Sequence, residues 1–64
     1  MITTPETDVF PEITWEIGEF LDSDYEERMD TFIASGWDKN NVEYSGTAYF
    51  YAGVFNSVED IERV

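Results

Sequence analysis

Fifteen carboxylates stand against three cations in this chain of 64 residues, so any fold it adopts must form against a net charge of −12. Self-repulsion on that scale destabilises a compact state, and a domain this small buries only about 60% of its unfolded surface. There is no cysteine for a disulfide and no Cys or His pattern for a structural zinc, so apolar burial has to supply the opposing force. Five Phe, four Tyr and two Trp can supply it. Their abundance separates the chain from disordered sequences, in which low hydrophobicity leaves high net charge unopposed.

The same charge excludes classes of partner. A polyanion is repelled by bare nucleic acid and by anionic membranes, so direct binding to either is not expected, and any electrostatic partner must be basic. No segment approaches the ~20 apolar residues of a transmembrane helix. The opening MITTPETDVFPE has neither a basic leader nor an apolar run of signal-peptide length. A cytoplasmic protein is therefore expected.

Local patterns predict an extended arm over residues 1–11, where Pro5 and Pro11 disfavour helix, and a single α+β domain over residues 12–64. In ITWEI, Ile13, Trp15 and Ile17 alternate with Thr14 and Glu16, as in a strand with one buried face. Gly18, followed by adjacent Phe20 and Leu21, marks a bulge or the strand's end. Ser23 and Glu26 stand at capping-box spacing. Beyond them Tyr25, Met29, Phe32 and Ile33 recur at helical spacing, with Glu26, Glu27 and Asp30 on the other side. Gly36 would then be the left-handed stop of that helix.

WDKNN supplies turn residues. The segment from Val42 to Tyr51 reads as a long strand bent at Gly46. That register places Val42, Tyr44, Ala48 and Phe50 on one face and Glu43, Thr47, Tyr49 and Tyr51 on the other. A tight hairpin at Ser45–Gly46 is the alternative. AGVFNS turns the chain, and VEDIERV is a last strand in preference to a helical turn capped by Ser57. The expected fold class is α+β: an antiparallel sheet of about three strands packed on one helix, in the order β-α-β-β.

Chemistry is sparse. Asp22, Asp24 and Glu26 match the first odd ligand positions of a calcium loop, but Glu27 stands where that loop needs glycine and Ile33 where it needs glutamate, so no metal site is expected. Without His or Cys there is no hydrolytic triad or thiol nucleophile, and the one lysine, Lys39, sits in a turn. A carboxylate pair working as in glycosidases requires a pocket that so small a domain hardly forms. The expectation is a non-enzyme with no catalytic residues and no cofactor.

The distribution of charge is more informative. Eight acids crowd between Glu12 and Asp30, whereas residues 39–58 contain only Glu43. Spread evenly over the ~4,200 Å² of a folded domain of this mass, the net charge would be about 350 Å² per unit, against roughly 100 Å² on duplex DNA. Gathered on about a third of the surface, the eight acids would approach DNA within a factor of about two. Tyr49 and Tyr51, on the face away from the core residues, resemble the rigid aromatic anchors of an interface, unless the arm or another strand covers them.

Small, cysteine-free and strongly acidic, the chain is similar in class to phage-encoded proteins that act as DNA mimics against host restriction systems, uracil-DNA glycosylase, nucleases, CRISPR effectors and nucleoid proteins. No motif carries that likeness; charge and size do. It implies an inhibitor that occupies the basic groove of a host DNA-binding protein. The contact set would be Glu16, Glu19, Asp22, Asp24, Glu26, Glu27 and Asp30, with Tyr49 and Tyr51 as anchors. The alternative is a structural or assembly protein, a homodimer among its forms, that pairs through a strand edge and the same tyrosines. Adaptation to high salt is a third explanation of the acidity.

Overall fold

Residues 23–36, where a helix capped at Ser23 and stopped at Gly36 was expected, form the tip and return strand of a long hairpin. The computed structural model describes all 64 residues. Its elements are β1 (Ile2–Thr4), β2 (Ile13–Asp24), β3 (Met29–Trp37), β4 (Glu43–Tyr51) and β5 (Val54–Arg63). They make one antiparallel sheet, ordered as in the chain and curled into a half-barrel, with no helix. The α+β class and the order β-α-β-β are thus corrected to an all-β meander. It follows that no helix is long and apolar enough to cross a membrane.

Tertiary pairing overrode the local helical pattern, because an isolated helix of this length is marginal in water and Thr31, Phe32 and Ile33 favour extended backbone. The capping-box residues act in the hairpin instead. Ser23 Oγ donates to Asp30 Oδ1 across the two strands at 2.7 Å. Asp24 Oδ1 accepts from the amides of Glu26 and Glu27 at 3.0 and 3.3 Å. Residues 25–28 form the turn, and Arg28 closes it in the left-handed region at φ 55.

Gly36 is not a helix stop but the floor on which the core is laid. It lies opposite Trp15, and a Cβ there would stand 2.5 Å from Ile13 Cγ2 and 2.6 Å from Trp15 Cε3. At Gly46 a Cβ would stand 2.6 Å from Val58 Cγ1 and 3.4 Å from Trp15 Cη2. The indole therefore lies across β3 to β4, wholly buried, with Nε1 donating to Thr4 Oγ1 at 2.9 Å. Ile13, Trp15, Ala34, Tyr44, Ala48 and Val58 form the inner-face core. Ile2, Phe10 and Val42 pack against it, and the Phe10 ring meets Tyr44 edge-on at 6.2 Å.

Part of the expected arm joins the sheet, since β1 pairs with Ile13–Trp15 and with nothing further along β2. β4 is the long strand, with Tyr44 and Ala48 buried inward; the hairpin at Ser45–Gly46 does not form. The chain reverses at Ala52–Gly53, with φ values of 51 and 80, and VEDIERV belongs to β5. The surface of 4657 Å² exceeds the ~4,200 Å² typical of this mass, as an open, elongated sheet of 38 × 20 × 19 Å should.

Candidate functional site

Glu16 and Glu19 are three residues apart, so strict alternation would send them to opposite faces of a strand. A bulge prevents this, and a second one turns Asp22 to the same face. One falls between Ile17 and Phe20, where two residues of β2 oppose Ile33; the next falls between Phe20 and Asp22, opposite Thr31. An extra residue in one strand resets which side chains share a face. Ile17 and Phe20 consequently stand with Ala34 and Phe32 on the inner face. Glu16, Asp22 and Asp24 stand opposite Ser35, Thr31 and Met29 on the outer face, with Glu19 in the bulge beside Ile33.

Every outer residue of β3 from Ser35 to Met29 is thereby bordered by an exposed carboxylate of β2, one about every 6.6 Å along the strand. Tyr49 and Tyr51 lie on this same face. The rows read Asp22, Thr31, Tyr49, Ser57 and Asp24, Met29, Tyr51, Val54. Each tyrosine is two strands, or about 10 Å, from its acid. Tyr51 is 39% exposed and Tyr49 half-buried, and β1 lies beyond β2, too far to cover them. Across the sheet, Glu62 opposes Ser45 and Glu59 opposes Thr47 on β5. In those two rows, with Ser35 and Ile33 on β3, hydroxyl and apolar side chains stand between two acidic margins about 14 Å apart.

The structure does not gather the whole expected set. Asp30 points to the inner face opposite Phe50, half-buried and bound by Ser23. Glu26 and Glu27 occupy the exposed turn at the hairpin tip. The helical polar side that was to unite these three does not exist. Met29, Thr31 and Ile33 were missed as outer-face residues, although MDTFIASGW read with a period of two displays them. Glu59 and Glu62 were missed because the bulge that aligns them, with Asp60 at φ 53, has no glycine to announce it.

A second polar cluster pins the turn between β3 and β4. Asp38 Oδ1 accepts from the amides of Asn40 and Val42 at 2.8 and 3.0 Å, and Oδ2 from the Tyr44 hydroxyl at 3.1 Å. Burial pushes the Asp38 carboxyl up, but those amides, the Tyr44 hydroxyl and the charge of Arg63 outweigh it and hold it below its usual range. Burial, and then Asp38, push the Tyr44 phenol up. Both groups keep their ordinary charge state near neutrality, so the pair is a latch rather than an acid–base couple. No three carboxylates converge closely enough to hold a metal ion. Compared with protein-family models, curated proteins and solved structures, the chain matches none of them.

Proposed function

We propose that the outer face takes the place of nucleic acid in the basic groove of a DNA-binding protein, and that the chain acts by binding, not by catalysis, in the cytoplasm of a host cell. The carboxylate column of Glu16, Glu19, Asp22 and Asp24 carries this reading. At about 6.6 Å per charge it has half the linear density of one DNA strand, which carries one charge per ~3.4 Å. The second margin, ~14 Å away on β5, is placed much as a phosphate strand across a major groove about 12 Å wide. Tyr49 and Tyr51 lie in the rows of Asp22 and Asp24, beyond the end of the second margin, where Ser57 and Val54 border them and leave an aromatic anchor open to a partner. Charge would govern the rate of encounter, and the tyrosines the lifetime of the complex.

Strand-edge assembly has less support. Both open edges carry bulges and acids, at Ile17–Asp22 on β2 and around Asn56 and Asp60 on β5, and such features oppose strand addition by a second copy.

The test immobilises the chain, captures proteins at low salt and elutes them first with rising salt and then with duplex DNA. Captured DNA-binding proteins should elute with either, and combined reversal of Glu16, Glu19, Asp22 and Asp24 to lysine should abolish capture. Binding that survives the reversal, or that duplex DNA does not compete away, would refute the proposal.

A further inference from the structure

Half of the inner face lacks a second layer. Near β1 it is filled by Trp15 and flanked by Ile2, Phe10 and Val42. Toward the hairpin tips, one phenylalanine from each of β2 to β5 crosses the sheet, ring edge to ring face. The centroid separations are 5.6 Å for Phe20–Phe32, 5.4 Å for Phe32–Phe50 and 5.7 Å for Phe50–Phe55. Phe20 is 54% exposed, and the other three are only half-buried. An apolar sheet face ordinarily packs against another element. None of residues 1–64 covers this end: residues 5–12 serve the opposite end and the remaining connections are short turns.

Charge sets the sign of the occupant. Asp30 shares the inner face, opposite Phe50, and in the adjoining turn Glu26 and Glu27 outnumber Arg28, the only cation at this end. Lys39 and Arg63 belong to the other end, by the turn after β3 and opposite Tyr44. A second copy would bring another −12 and the same acids, so self-packing is opposed. The three ring spacings sum to about 17 Å along the ladder, more than the diameter of about 10–12 Å of an α-helix.

We propose that this face receives one amphipathic helix of a partner, with apolar residues at helical spacing on the phenylalanine ladder and Lys or Arg along its flanks. The proposal goes beyond the outer-face reading, since it uses the opposite side of the sheet.

The probe is a synthetic helix of about 18 leucine and lysine residues, ~27 Å long, titrated into the isotope-labelled full chain. Backbone NMR signals of Phe20, Phe32, Phe50 and Phe55 should shift as the peptide gains helicity. Phe20→Ser, at an already exposed position, should weaken binding at least about tenfold, and Phe55→Ser should do the same. Near-ultraviolet dichroism would check that each variant remains folded. Glu16→Lys with Glu62→Lys alters the outer face away from the ladder and should leave affinity within about twofold, so the two proposals fail separately. A peptide of equal composition with scrambled leucines that bound as well would overturn the inference. So would shifts confined to the outer face, or sedimentation of the free chain as a dimer sensitive to Phe20→Ser.

Discussion

At the scale of single residues, the fold turns on the contact between Trp15 and Gly36. The indole reaches β4 only because β3 offers no side chain beneath it. Gly36→Ala would drive a methyl into Ile13 and Trp15, and it should cost about 1–3 kcal/mol, read as a lower urea midpoint with an unchanged slope. Asp38 offers a test of pH dependence. Its folded pKa lies below the unfolded value, so its contribution is complete above the ordinary carboxylate range of about 4 and is lost as pH falls through the folded value. The stability difference between the native chain and Asp38→Asn should therefore be level from pH 6 to pH 8 and shrink below about pH 4, which urea titrations across that range would measure. Tyr44 has the opposite sign. Its raised pKa makes its contribution complete below about pH 10 and lost as pH rises through the folded value.

At the scale of elements, the hairpins and bulges decide which chemistry faces outward. Ala52 and Gly53 adopt the positive φ angles of a two-residue turn that favours Asn-Gly. Ala52→Asn should accordingly stabilise the protein by about 0.5–1 kcal/mol in thermal or urea unfolding. Deleting Gly18 would close the first bulge and leave Ile17 and Phe20 two residues apart, so that plain alternation keeps Trp15, Ile17 and Phe20 on the inner face with Glu19 opposite Ile33. Retained cooperative unfolding, followed by near-ultraviolet dichroism, is the expected outcome. The first bulge was readable at Gly18 and the long strand β4 in its alternation. The second bulge was not, because Phe20 and Leu21 signal it only once β3 is known to be a strand. The helical misreading arose where i, i+4 and i, i+2 patterns coincide over Tyr25–Ile33, and pairing with two neighbouring strands settled the matter.

At the scale of the whole molecule, repulsion among the acids opposes a core that is concentrated at one end. Neighbouring carboxylates of the β2 column are about 6.6 Å apart, inside the Debye length of ~10 Å at 0.1 M salt. The urea midpoint at neutral pH should thus rise steadily between ~0.02 and ~0.5 M sodium chloride, where the Debye length shrinks to a few ångströms. A midpoint independent of salt would show that self-repulsion does not limit stability. A chain that folds only in molar salt would point to a saline habitat as the reason for its acidity.

What composition alone determined is that a small aromatic core must hold against strong negative charge, and that the chain's charge repels other polyanions. Those conclusions depend on totals, which no rearrangement of the chain alters. Which acids stand together was decided by tertiary structure, because facing in a sheet depends on register, and register changes at each bulge. Pairing between β2 and β3 gathered Glu16, Glu19, Asp22 and Asp24 into one column, turned Asp30 away from it, and left the phenylalanine ladder without a covering layer.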